Sequence, residues 1–167
     1  MAINSKQKGN KFERDIANLL STRFEAHTGK SQSFRRNVDS GSFWGGKNIV
    51  RQETHDTDYA IYGDLVCPRD FNFSIECKNY KEPPSFNSIL KQDVKLWDEW
   101  LSQASQDSSA CNKDYMIIVK YNRCEIMCIV DRKFYPVTCN FTSVCYNSSV
   151  IVMLSDILKL DDSFYFS

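Results

Sequence analysis

Two carboxylates and one lysine near the middle of the chain are spaced so that they could bind a metal ion and a phosphate. Asp64 follows Gly63 at the start of one apolar run, and Glu76 and Lys78 lie two residues apart on the next run. Side chains of an extended strand alternate between its two faces, so Glu76 and Lys78 share a face. The short polar segment 68–70 between the runs predicts a β-hairpin, which places Asp64 opposite or nearly opposite Glu76.

Carboxylates that lie this close repel each other unless a cation or a proton sits between them. Oxygen ligands suit a hard divalent ion such as Mg²⁺ or Mn²⁺. The ammonium group of Lys78 could orient an attacking water or hold a charged phosphate in place. A solvated ladder of ion pairs on one strand face is the alternative interpretation, and this pattern alone leaves both open.

Residues elsewhere in the first half of the chain could join such a site. Glu13 lies on a predicted helix and could complete the acidic set, although an exposed helix glutamate explains it as well. Ser40 and Ser42 flank a glycine and could bind phosphate through hydroxyl and backbone N–H groups, or form only a turn. Trp44 could stack on a base or pack in the core.

Periodicity predicts the elements that must position these residues. Residues 12–24 and 86–104 carry apolar residues on one helical face, and a further short helix is predicted near 155–160. Besides the first hairpin, strands are predicted at 34–38, 115–120, 125–130 and 150–154, and a loop at 43–57. This order predicts an α/β fold with a central mixed β-sheet flanked by helices.

Composition limits the class of protein. The 167 residues are 42% apolar and carry 21 basic and 21 acidic side chains, which is typical of one globular domain. No run of about 18 apolar residues predicts a membrane span, and no secretory signal is recognisable, so a cytoplasmic location is expected. Residues 1–36 hold eight basic and three acidic residues, which could face a polyanion or form a solvated helix surface.

The seven cysteines suit a reducing compartment. Cys124, Cys128, Cys139 and Cys145 could suggest a zinc site. However, Cys124 and Cys128 alternate with apolar residues along a predicted strand, and the tight turns of zinc knuckles are missing. The pattern favours buried thiols over zinc.

Taken in order, these segments resemble the PD-(D/E)XK nuclease superfamily, and within it the Holliday-junction resolvases of archaeal and phage type. The resemblance covers about residues 6–130. Its motifs are KGNKFER at 8–14, FRR at 34–36, SGS at 40–42, GDLV at 63–66, FSIECK at 73–78, WLSQA at 100–104 and KYNR at 120–123. The chain departs from the superfamily in the long segment 44–62, in its cysteine-rich end and in having Gly63 where proline usually precedes the first aspartate.

The resemblance implies a restriction-endonuclease-like fold in one nuclease domain over 1–167, with a catalytic core at about 6–130 and a C-terminal strand and helix extension at 131–167. It implies a metal-dependent endonuclease, a homodimer that cuts branched DNA such as a four-way junction, in the host cytoplasm if the source is viral. A restriction-type or DNA-end-processing nuclease of the same fold, and a non-catalytic DNA-binding or virion protein, are the alternatives.

The resemblance also assigns roles to residues. Mg²⁺, which Mn²⁺ could replace, would be held by Glu13, Asp64, Glu76 and the backbone carbonyl of Cys77. Lys78 would assist the attacking water, Ser40 or Ser42 would contact the scissile phosphate, and Gln103 would lie near the site. The residues expected to contact DNA are Lys8, Lys11, Arg14, Arg35, Arg36 and Lys47.

Overall fold

The computed structural model describes residues 5–37 and 59–167. The chain begins with α1 (Ser5–Arg23), whose buried residues Phe12, Ile16 and Leu20 recur every four positions and form one helical face, as predicted. The single turn α2 (Glu25–Thr28) follows and ends at Gly29, which adopts a left-handed conformation.

A five-stranded mixed sheet forms the centre of the fold. Its strands are β4 (Phe73–Tyr80), β5 (Asp114–Tyr121), β6 (Met127–Asp131), β7 (Ser143–Tyr146) and β8 (Ser149–Met153), in the order β4-β5-β6-β8-β7. The β4 and β5 strands are parallel, and all other pairs are antiparallel. The predicted mixed sheet is confirmed, and the strands predicted at 115–120 and 125–130 correspond to the antiparallel neighbours β5 and β6.

A smaller antiparallel sheet precedes this one in the chain. It contains β1 (Arg35–Arg36), β2 (Tyr59–Tyr62) and β3 (Leu65–Pro68), in the order β1-β3-β2. The predicted β3–β4 hairpin is therefore wrong. Both hydrogen-bonding edges of β3 are taken by β1 and β2, so β4 pairs with β5 instead, and one parallel bridge joins Gly63 to Ile75.

The predicted helix at 86–104 is in fact two helices, α3 (Phe86–Leu90) and α4 (Lys95–Cys111). The helical conformation is interrupted between them, where Gln92 has a left-handed φ of 55°. The amide of Gln92 bonds to the backbone at Cys145 and Asn147, which ties the break to the end of the sheet. Apolar spacing continues across this break, and so periodicity alone could not locate it.

The C-terminal part is more extensive than predicted. The predicted strand and helix correspond to β8 and to α6 (Leu154–Ile157), but β7 and the helical turn α5 (Tyr135–Thr138) were not predicted. Because β8 lies between β6 and β7, residues after Asp131 complete the central sheet and do not form an extension beside it.

Two apolar cores cover the two faces of the sheet. Alternate residues of β5 enter them, with Met116 and Ile118 on the α1 side and Ile117 and Val119 on the α4 side. This double burial explains the unbroken apolar run of β5. Within residues 5–37 and 59–167, no helix is long and apolar enough to cross a membrane.

Candidate active site

The candidate catalytic residues meet at the edge of β4 that does not pair with β5. The backbone N–H of Asp64 donates to the carbonyl of Ile75 at 2.9 Å. The backbone N–H of Cys77 donates to the Oδ2 atom of Asp64 at 2.8 Å. Asp64 is thus held on β4 through both its backbone and its carboxylate, by a parallel bridge and not by the predicted antiparallel register.

Gly63 makes this close approach possible. Its φ is +69°, and a Cβ atom there would lie 2.3 Å from the carbonyl oxygen of Ile75 and 3.0 Å from Oε1 of Glu76. A side chain would therefore collide with the backbone of β4. Proline, whose φ is fixed near −65°, could not adopt this conformation, which explains the departure from the superfamily pattern at this position.

Asn37 is a supporting residue that sequence reasoning missed. Its backbone N–H donates to the carbonyl of Asp64 at 2.8 Å, and its side-chain Nδ2 donates to the carbonyl of Gly63 at 3.0 Å. Asn37 directly follows β1, and so the smaller sheet holds the Gly63–Asp64 pair in place. The tendency of asparagine to bond nearby backbone in turns was the only available signal.

Glu76 and Lys78 share one face of β4, as predicted. The Nζ atom of Lys78 lies 2.9 Å from Oε2 of Glu76, and their side chains are 18% and 8% exposed. This face is the one that α4 covers, because the ring of Tyr80 contacts that of Trp100. The pair is therefore shielded from water, unlike a solvated ion-pair ladder.

Burial and mutual charge perturb these groups. Burial raises the pKa of Asp64 from 3.8 to about 6, and the neighbouring carboxylate of Glu76 contributes to the increase. Burial alone would lower the pKa of Lys78, but the charge of Glu76, the hydrogen bond to it and the charge of Asp64 together outweigh burial, so this pKa lies above its ordinary value. At neutral pH the site therefore combines two crowded carboxylates with one ammonium, an arrangement that favours an added cation.

The oxygen atoms present suit a divalent metal ion. In an extended strand, the N–H and C=O groups of one residue point to the same edge, so the carbonyl of Cys77 faces the edge where its N–H meets Asp64. With Asp64 and Glu76 it makes a donor set of hard oxygens, which Mg²⁺ and Mn²⁺ prefer. In the described part of the chain, no three histidine, cysteine or acidic side chains form a metal-binding group. The candidate site thus rests on two carboxylates and one backbone carbonyl.

Glu13 lies on α1, which packs against β4, but its carboxylate is paired with an arginine. Its Oε2 atom accepts a hydrogen bond from Nε of Arg36. The Nη2 atom of Arg36 donates to Oδ1 of Asn10 at 3.0 Å. Burial raises the pKa of the Cys77 thiol well above its usual value, and the charges of Asp64 and Glu13 add to this effect. The role of Glu13 as a third acidic ligand stays a prediction, as does contact of Arg36 with DNA.

Some of the remaining predicted site residues lie within the described ranges, and the others lie outside them. Gln103 is exposed on α4, three residues after Trp100, while Lys11, Arg14 and Arg35 are exposed on α1 and β1. Lys8 is partly buried and donates to Oδ1 of Asn122 at 2.9 Å. The other predictions concern residues outside the described ranges, namely Ser40, Ser42, Trp44 and Lys47.

The thiols do not form a zinc site in the described residues. All seven cysteines are free, and Cys128 is buried in β6 as predicted. Cys124 and Cys145 are partly buried, whereas Cys139 is exposed. These four residues are not part of any metal-binding group within the described ranges.

Comparison with known proteins agrees with this geometry. A family model described as "Phage putative PDDEXK endonuclease" matches residues 4–154, which include α1, both sheets and the edge of β4. No curated protein and no solved structure matches the chain significantly. The matched region covers most of the chain and all the described residues of the candidate site. The chain therefore belongs to this phage family of PD-(D/E)XK endonucleases, and the restriction-endonuclease-like α/β fold that the sequence predicted is confirmed.

Proposed function

We propose that this nuclease is a Mg²⁺-dependent endodeoxyribonuclease whose catalytic residues are Asp64, Glu76 and Lys78. The observation that carries the proposal is the meeting of these three side chains at the edge of β4 that does not pair with β5, where the carboxylates are crowded and partly or fully buried. The match to an endonuclease family supports the same class of reaction.

Asp64, Glu76 and the carbonyl of Cys77 would hold the metal ion. When bound, Mg²⁺ supplies positive charge that stabilises the negative charge developing on the phosphate. Lys78 is protonated, and only one of its N–H groups is required by Glu76. A second N–H can donate to the attacking water or to a phosphate oxygen. The oxygen of this water would form a bond to phosphorus while the bond to the leaving sugar oxygen breaks; the water would lose a proton to solvent, and the leaving oxygen would take one up.

The substrate that we propose is branched DNA, cut by a homodimer with one site in each subunit. The support is the ordered set of motifs over about residues 6–130, which resembles that of Holliday-junction resolvases. A four-way junction has two symmetric strands to cut, which two related sites would match.

Competing substrates test this proposal directly. A labelled four-way junction, a flap, a matched linear duplex and a single strand are each incubated with the protein in Mg²⁺ and in EDTA. Paired, Mg²⁺-dependent nicks in the junction alone are expected. Equal cutting of the linear duplex would retain the nuclease and refute the preference for branched DNA. Tight binding without cutting of any substrate would favour a non-catalytic DNA-binding protein.

Asp64→Asn is expected to stabilise the metal-free protein above pH 6 by about 1–3 kcal/mol, because each unit of pKa shift corresponds to about 1.4 kcal/mol. The folded pKa of about 6 exceeds the ordinary 3.8, so the wild type loses stability as pH rises between these values. The amide can still accept the hydrogen bond from Cys77. Urea unfolding in EDTA at pH 4 and pH 7 checks this prediction, which fails if the wild type is the more stable at pH 7.

Metal binding should reverse that order of stability. Mg²⁺ is expected to raise the melting temperature of the wild type, since a ligand at 100 times its Kd stabilises the folded state by about 2.7 kcal/mol. Asp64→Asn should respond weakly or not at all. Thermal unfolding with and without Mg²⁺ measures this difference independently of cleavage. An equal response of both proteins would show that Asp64 does not bind the ion.

A further inference from the structure

Three chain segments converge where the parallel strands β4 and β5 end. Because these strands run in the same direction, the residues that follow Tyr80 and Tyr121 lie at one end of the sheet. The backbone N–H of Asn122 donates to the carbonyl of Lys81 at 3.2 Å, which joins the two loops. Lys8 reaches Asn122 from α1.

This end of the sheet carries an excess of positive charge. Two carboxylates, those of Glu82 and Glu125, accompany four basic side chains. We call these four the basic edge: Lys8, Lys81, Lys120 and Arg123. At the opposite end of the same strands, the charges are balanced within each loop, since Arg69 precedes Asp70 and Lys113 precedes Asp114.

The contacts of Lys8 and Lys81 and the exposure of Arg123 leave these three charges largely available. Lys8 bonds to the neutral amide of Asn122, which cannot neutralise an ammonium. Lys81 lies 3.4 Å from Glu82, but the two side chains are 81% and 76% exposed, so this ion pair contributes little. Arg123 is exposed in a tight turn, with a φ of 62°. These groups can therefore exchange their present surroundings for a phosphate at small cost.

The basic edge lies beside the candidate active site. Lys81 follows Lys78 by three residues, and a strand rises about 3.3 Å per residue, so the two positions are about 10 Å apart. That distance corresponds to about three phosphate steps of one strand, measured along the axis of duplex DNA. A DNA strand with its scissile phosphate at Lys78 would thus bring neighbouring phosphates to the basic edge.

We propose that the basic edge binds the DNA phosphates next to the cleaved bond and so fixes the path of the substrate strand past the site. This inference rests on the proposed DNA endonuclease function. It adds Lys81, Lys120 and Arg123 to the predicted contacts, which lie mainly on α1 and β1. These side chains position the substrate by charge and do not take part in the chemical step.

A charge-matched pair of double variants tests the proposal. Lys81→Gln with Arg123→Gln removes two charges from the basic edge, and Arg69→Gln with Lys159→Gln removes two exposed charges elsewhere. Affinity for a fluorescent duplex is measured by anisotropy in EDTA across a salt series. The basic-edge variant should bind at least about tenfold more weakly. Its slope of log K against log salt should be shallower by about 2. The control should match the wild type.

Further measurements separate loss of charge from loss of structure. Lys81→Arg with Arg123→Lys keeps both charges and should retain wild-type affinity, and melting temperatures should agree among all variants. Equal weakening in the basic-edge variant and the control would overturn the inference. A basic-edge variant that binds and cleaves DNA as well as the wild type would overturn this inference but leave the proposed function intact. A wild type that neither binds nor cuts any DNA would overturn the proposed function together with it.

Discussion

Glu76→Gln is expected to reduce Mg²⁺-dependent DNA cleavage by about 10³-fold while DNA binding survives. The side chain of Glu76 is 8% exposed and lies between the edge that holds Asp64 and the ammonium of Lys78. The neutral amide keeps the size of the side chain and can still accept a hydrogen bond from Lys78. It removes the charge that a divalent ion requires, and groups that stabilise charge in a reaction typically contribute 10²–10³-fold or more.

The control for this variant is Glu99→Gln, the same chemical change at an exposed position of α4. It should cleave at the wild-type rate. Single-turnover cleavage of a labelled substrate gives the rates, and anisotropy in EDTA gives the affinities. Cleavage by Glu76→Gln at the wild-type rate would show that the metal site has been assigned to the wrong residues, whatever the substrate.

Gly63→Ala should cause the second large effect, a loss of about 3 kcal/mol or more of folding free energy together with most of the cleavage activity. The added methyl group would lie 2.3 Å from a backbone oxygen of Ile75, which cannot rotate away as a side chain could. The positive φ adds strain of about 1–2 kcal/mol. Relief of the collision would move Asp64 away from β4, so stability and catalysis should fall together.

Two other glycines separate the causes of that loss. Gly29 has a similar φ of +64° but open space around its Cβ position, so Gly29→Ala should cost only the strain of about 1–2 kcal/mol. Gly9 lies within α1 with open space, and Gly9→Ala should stabilise the protein by up to about 1 kcal/mol. Urea denaturation of the three variants gives the comparison. A cost for Gly63→Ala no greater than that for Gly29→Ala would refute the collision.

Local sequence patterns were sufficient to predict several features of this fold. The four-residue spacing from Phe12 to Leu20 locates α1, because a helix repeats its faces within a few residues. The alternation along β4 places Glu76 and Lys78 together for the same reason. Each of these predictions depends only on the geometry of one element. The structure contains both the helix and the side-chain pair.

Features that depend on distant partners could not be predicted from local patterns. The hairpin prediction failed because β3 pairs with β1 and β2, and β2 lies at 59–62, where no strand was predicted. Asp64 reaches β4 through a parallel bridge that requires Gly63 and is supported by Asn37. The Glu13–Arg36 pair likewise joins residues 23 positions apart. Choices of partner of this kind are settled by tertiary packing, which no single element encodes.

The rate at which the thiol of Cys77 is alkylated can report local opening of β4. Because burial raises the pKa of this thiol and it is only partly exposed where it packs against the core, an alkylating reagent should modify it faster when that stretch of chain opens. Cys139 is exposed and supplies an internal reference in the same molecule. The rate of Cys77 alkylation, read by mass spectrometry, would therefore report how often the nuclease exposes the strand between its two charged side chains, without any substrate present.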